Sequence, residues 1–278
     1  MLSLDPKELK IPVLQKYLQN AIAPRPICFA STIDKSGNPN LAPFSFFNIF
    51  SSNPPILVFS PARSGRTGAT KDTLDNVLEV PEVVINVVNY SMVHQMSLSS
   101  SPFPKGVNEF VKSGFTQQAS ELIKPFRVKE SPVQLECKVN EVKSLGEQGG
   151  AGNLVICEVL RIHIAESVLK EDQSIDTKKI DLVARMGDNW YCRASGDSLF
   201  EVEKPITTIG IGVDALPDNI RNSKILTGNN LGLLGSVEEI PQKENSSEAV
   251  SNEEEKHKLA KSLLDKGELM KAWQVLLN

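Results

Sequence analysis

The sequence has little of what usually betrays a function. No run of eighteen apolar residues occurs, so no membrane-spanning helix is expected. The opening MLSLDPKELKIP lacks the basic start and apolar stretch of a secretory leader, which makes a cytoplasmic location the expectation. Thirty Lys and Arg against 34 Asp and Glu leave a net charge of −4, which argues against a nucleic-acid surface. The four cysteines, Cys28, Cys137, Cys157 and Cys192, lie far apart without a C-x-x-C, so free buried thiols are expected rather than a zinc site or redox pair. Of only three histidines, His257 falls in a polar tail and is expected in solvent, while His94 and His163 read first as structural. G-x-S-x-G and H-E-x-x-H are absent, and 210-GIGVDA-215 keeps only the first two glycines of a dinucleotide fingerprint. Such poverty suits a chain whose chemistry resides in a cofactor.

What is present reads mostly as strand. The runs 27-ICFASTI-33, 41-LAPFSFFNIF-50, 56-ILVFSPA-62 and 83-VVINVVNY-90 are apolar and separated by turn residues, among them 34-DKSG-37. Two longer runs, 133-VQLECKVNEVKSL-145 and 154-LVICEVLRIHIAESVL-169, flank the glycine-rich 146-GEQGGAG-152 and read as a hairpin. Helical patterns are fewer. One is 70-TKDTLDNVLE-79, with a Thr or Asp N-cap and Leu74, Val77 and Leu78 on one face; another is 89-NYSMVHQMSLSS-100, with Met92, Val93 and Met96 together. Many strands with short helical patches favour a β-barrel over a doubly wound parallel sheet. Toward the end, 241–256 is polar and acidic and reads as a linker, and 257–278 reads as a helix or helical hairpin interrupted at Gly267.

The segment 60-SPARSGRTGATKDTLDNVLEV-80 is the sharpest local feature. It fails as a P-loop, because Thr70 stands where the second glycine belongs and Asp72 follows Lys71. A loop carrying Arg63 and Arg66 nevertheless feeds a helix start with Lys71, Thr70 and Thr73, where free N–H groups favour a phosphate. An ordinary capped surface helix with a solvated basic loop fits the same residues.

Its neighbours narrow the choice. In order, 24-PRPICFASTID-34, 37-GNPNLAPFSFFN-48, 52-SNPPILVFS-60, 70-TKDTLDN-76, 83-VVINVV-88, 102-PFPKGVNEF-110, 130-ESPVQLEC-137 and 157-CEVLRIHI-164 resemble the flavin reductase-like, FMN-binding split-barrel family, of the flavoredoxin and nitrilotriacetate monooxygenase reductase type. The resemblance covers roughly residues 10 to 200, and 205–235 is similar to the C-terminal extension of one branch. It implies a mainly β fold, a six-stranded Greek-key split barrel with a few short helices and a helical tail. The expected divisions are a barrel over 1–205, an extension packed on it over 206–240, the linker 241–256 and the tail 257–278.

The resemblance also implies a homodimer that binds FMN, with NAD(P)H as electron donor and free flavin, a monooxygenase partner or another acceptor as the outlet. Carried onto this chain, Ser31 and Thr32 end the first strand near the phosphate. Ala42, Pro43, Phe44, Ser45, Phe46, Phe47 and Asn48 run past the isoalloxazine, although a plain edge strand fits those residues too. Ser60, Arg66, Lys71, Asp72 and Thr73 correspond to the phosphate-binding loop and helix start, and His94, His163, Arg185 and Tyr191 approach the flavin. Hydride transfer between a nicotinamide and a flavin needs close stacking more than a side-chain acid or base, so no catalytic side chain is expected. An FMN-binding electron carrier without NAD(P)H turnover and a flavin-free interaction domain are the alternatives.

Overall fold

The computed structural model describes residues 1–244 and 252–278, in two compact units, Met1–Phe200 and Glu201–Asn278. In the first unit, helix α1 (Ile11–Ala21) precedes strands β1 (Cys28–Ile33), β2 (Pro39–Phe44), β3 (Phe47–Ser52) and β4 (Pro55–Phe59). Helix α2 (Asp72–Glu79), β5 (Glu82–Val87), α3 (Val93–Ser99) and α4 (Glu109–Ser113) follow, then the short pair β6 (Gln117–Gln118) and β7 (Arg127–Val128). The long hairpin β8 (Val133–Ser144) and β9 (Asn153–Ile164) comes next, and β10 (Val183–Arg185) with β11 (Tyr191–Arg193) ends the unit.

One antiparallel sheet has the order β2-β1-β5-β8-β9-β4-β3. Its two edge strands, β2 and β3, are consecutive in the chain and separated only by Ser45 and Phe46. So short a connection between opposite edges forces the sheet to curl until they approach, which makes an incompletely closed barrel. The sheet has seven strands where six were expected, because the arm expected as a single run over 41–50 breaks at Ser45–Phe46 and serves both edges.

Alternation along the strands separates two cores. Cys28 and Ala30 of β1, Leu57 and Phe59 of β4, Val83 and Ile85 of β5, Cys137 and Val139 of β8, and Val155 and Cys157 of β9 fill the barrel. Leu74 and Val77 of α2 join them, so this helix plugs the barrel; each such side chain contributes about 1.5–3 kcal/mol on burial. Leu78, expected on the same face, is 63% exposed. On the outer face of β1, Ile27 and Phe29 pack with Leu41, with Val93 and Met96 of α3 and with Phe110 of α4. Burial pushes the Cys28 and Cys137 thiols far up and Cys157 to about 12, with neighbouring thiols adding to the rise at Cys28.

The second unit is helical: α5 (Asp218–Arg221), α6 (Gly228–Leu234), α7 (Glu253–Leu264) and α8 (Leu269–Leu277). Leu216, Ile220, Leu226 and Leu234 share one core with Ala260, Leu264, Ala272, Trp273 and Leu276, so the segments expected as a separate extension and tail are one body. Between α7 and α8, Gly267 takes φ +77°, a backbone conformation that glycine adopts freely. Part of the linker expected over 241–256 lies outside the described residues; at its other end Asn252 caps α7, which starts four residues before position 257. His257, expected in solvent, is 6% exposed, with Nδ1 2.9 Å from the Ser223 hydroxyl. Among the described residues, no helix is long and apolar enough to cross a membrane.

Candidate functional site

The loop before α2 is tied down from one side by the β8–β9 hairpin. Arg63 N donates to Ala151 O (2.9 Å), Gly150 N donates to Arg63 O (3.1 Å), and Ser60 Oγ accepts from Asn153 N (3.1 Å). A Cβ at Gly152 would fall 2.7 Å from Ser60 Oγ, so a side chain there would displace the hydroxyl that accepts from Asn153 N. From the other side a polar seam fixes α2 to the sheet. Asn40 Nδ2 donates to Thr73 Oγ1 (2.8 Å) and Thr32 Oγ1 (3.3 Å), and Asn76 Nδ2 also reaches Thr32 Oγ1 (3.1 Å).

Two adjoining recesses open beside this seam. The first, about 260 Å³, is lined by Asn40, Ala42, Pro43 and Phe44 of β2, Thr70 to Thr73 at the start of α2, Ser99 at the end of α3 with Ser100 to Phe103 after it, and Glu109. The second, about 340 Å³, is lined by Ile27, Pro43, Phe44, Ser45, Met96, Ser97, Ser100, Arg185, Asn189 and Tyr191. Pro43, Phe44 and Ser100 belong to both, and the volumes suit parts of one small-molecule site.

Chemically the first recess has a cationic and an apolar side. Lys71 is the N-cap of α2, with extended backbone (φ −94°, ψ 146°) and no side-chain cap; the expected Thr or Asp cap is not used. The amides of Asp72 and Thr73 donate to no acceptor among the described residues. Free amides at a helix start, with a lysine beside them, are suited to an anion. Against that charge stand the carboxyls of Asp72 and Glu109. Glu109 is 8% exposed and accepts from Leu41 N (3.1 Å) on the open side of edge strand β2; burial raises its pKa, and nearby Asp72 adds to the rise. Pro43, Phe44 and Phe103 supply apolar wall.

Of the residues carried over by resemblance, Ala42, Pro43, Phe44, Ser45, Lys71, Asp72, Thr73, Arg185 and Tyr191 line the recesses. The others stand off these walls. Ser31 is fully buried in β1, and Thr32 accepts from the two asparagines of the seam. Phe46 O accepts from Ser60 N (2.8 Å), Phe47 pairs with Phe59, and Asn48 Oδ1 accepts from Ile49 N. Ser60 is engaged by β9, Arg66 sits in an exposed turn and His94 is exposed on α3. His163 lies 2.7 Å from the fully buried Glu136, which also accepts from Glu121 N and Leu122 N. Burial opposes ionisation of Glu136, but those amides and His163 outweigh it and hold its pKa low. Residues given no site role by sequence, among them Asn40, Glu109, Ser99 to Phe103 and Asn189, add to the walls; 102-PFPKGVNEF-110 carried the signal for Pro102, Phe103 and Glu109 without giving any of them a role.

A flavin reductase like domain model matches residues 21–180. An uncharacterized protein of Aquifex aeolicus is 35% identical over 197 residues, which cover 70% of this chain and 97% of the relative. Among solved structures, nitrilotriacetate monooxygenase component B from Bacillus cereus is 31% identical with a TM-score of 0.68, over 73% of this chain and 98% of that one. A Shewanella frigidimarina protein with a split barrel domain of the flavin reductase kind is 25% identical with a TM-score of 0.61, over 71% and 95%.

Proposed function

The chain belongs to the flavin reductase-like family, and from that premise we propose that it is an FMN-dependent oxidoreductase fed by NAD(P)H. The observation that carries the reading is the first recess, where one lysine and two free helix amides face an apolar wall. That combination fits a flavin mononucleotide: an anionic end and a flat aromatic end. Bound there, FMN would supply the redox chemistry, taking a hydride from the nicotinamide and releasing electrons to an acceptor.

The chain's own residues bind and orient. Lys71 and the amides of Asp72 and Thr73 would hold the phosphate, while Pro43 and Phe44 would cover ring surface. Thr73 and Asn40, joined across the seam, keep the helix start in register with β2. Glu109 fixes that strand by accepting its outward Leu41 amide, and α2 and the strands keep water from the barrel side. A homodimer, and an acceptor that is free flavin, a monooxygenase or another protein, belong to the same proposal; likeness to a monooxygenase component supports the second of these acceptors.

Lys71→Ala tests the reading. FMN affinity should fall about tenfold or more, the worth of a charge-assisted hydrogen bond, while riboflavin, which has no phosphate, should bind as to the wild type. Equal losses for the two flavins, followed by fluorescence quenching, would remove Lys71 and the phosphate from the account.

A further inference from the structure

We propose that Arg185 makes the second recess a phosphate site for the hydride donor, a reduced nicotinamide dinucleotide. The inference rests on the flavin reading of the first recess. Arg185 is fixed by a two-way backbone bridge: Arg25 N donates to Arg185 O (2.9 Å) and Arg185 N donates to Arg25 O (2.8 Å). Its guanidinium lies 4.6 Å over the Tyr191 ring and donates to the carbonyls of Trp190 (3.2 Å) and Asp188. Among the described residues no carboxylate comes within ion-pair distance of Arg185. Arg127, Arg161, Arg193 and Arg221 all have one, and the Asp188 carboxylate is turned to Lys16 at 3.3 Å.

A second cation adds to the imbalance. Arg25 is 7% exposed, donates to the carbonyls of Gln19, Ile22 and Met186, and points Nε at Ser45 Oγ (3.5 Å), itself on the recess wall. Burial and the nearby Arg185 charge both lower its pKa. Two uncompensated like charges beside one recess are unfavourable until an anion arrives. The second recess has no carboxylate on its wall, whereas the first has two. A planar guanidinium stacked on an aromatic ring suits phosphate oxygens. At about 340 Å³ the recess takes part of a ligand, and through Pro43, Phe44 and Ser100 that ligand continues toward the flavin recess. Of the proposed reactants, the donor brings phosphates of its own; the FMN phosphate is the other source of the same chemistry.

Calorimetry on the FMN-loaded full chain with ADP-ribose, which carries the diphosphate without the nicotinamide, tests this. Arg185→Gln should weaken ADP-ribose about tenfold or more, Arg185→Lys should restore part of the loss, and Arg193→Gln, the same charge change on the next strand, should have no effect. The ratio of FMN to riboflavin affinity should stay at the wild-type value in Arg185→Gln, which also shows that the variant folds. Unchanged ADP-ribose affinity in Arg185→Gln, or none in the wild type, overturns the proposal. A selective loss of FMN over riboflavin in Arg185→Gln also overturns it, by giving the recess to the flavin phosphate. If the wild type takes up no FMN, the flavin reading falls separately, and the same titrations on the flavin-free chain decide the role of Arg185 by the same criteria.

Discussion

Glu109 stands where fold and site meet. Edge strand β2 turns the Leu41 amide away from its neighbour β1, and Pro43, two residues on, has no amide to offer on that side. Glu109 is the acceptor for that amide and is also part of the recess wall. Glu109→Ala should therefore cost about 1–3 kcal/mol in denaturant unfolding, the penalty for a buried donor left unpaired, whereas Glu109→Gln keeps an acceptor. The two carboxamide and carboxyl forms separate with pH. Burial raises the folded-state pKa of Glu109, so its protonated form contributes stability below the ordinary glutamate range, and that contribution is lost as pH rises through the raised value. The stability of Glu109→Gln relative to the wild type should accordingly grow on raising the pH from the acid range toward neutrality. A difference that stays flat with pH would show that the fold does not raise the pKa of Glu109.

At the scale of elements, the parts set by local pattern were legible and those set by distant contacts were not. Apolar runs gave β1, β4 and β5, stretches of alternation gave the β8–β9 hairpin, and the i, i+3 spacing of Leu74 and Val77 gave α2 with its buried face. The break at Ser45–Phe46 was not visible, because the run 41–50 is apolar save for Ser45 and Asn48 and holds no glycine to mark a turn. What divides it is tertiary: Ser60 N takes the Phe46 carbonyl, and Arg25 approaches Ser45. The cap of α2 was misplaced for a similar reason, since the hydroxyl of Thr73 is drawn into the seam with Asn40 and leaves the helix start to Lys71. Lys71, Pro43 and Phe44, and with them Arg185 and Tyr191, could be placed at a site only by resemblance. That Arg185 and Tyr191 face Ser45 and Met96 depends on a bridge between residues 25 and 185, which no local spacing encodes. His257 was misjudged because its acidic neighbours hid a packing contact with Ser223.

Across the whole molecule, the division into two bodies matches the reach of the relatives, one of which is covered to 97% by 197 residues of this chain. Both recesses lie within Met1–Phe200, which also contains both β cores. A chain ending at Phe200 should thus fold and bind FMN as tightly as the full chain. Removing only 241–278 strips Leu216, Ile220, Leu226 and Leu234 of their packing partners and should instead yield an aggregating protein, as sedimentation would show. Weakened FMN binding in the shorter chain would mean that the helical body contributes to the site. The central claim, that this molecule passes hydride equivalents from a nicotinamide to a bound flavin, is tested most directly by mixing the FMN-loaded full chain with NADH and with NADPH under anaerobic conditions. Rapid bleaching of the flavin absorbance by at least one of them is the predicted result; a flavin that stays oxidised with both would contradict the account and leave an electron carrier in its place.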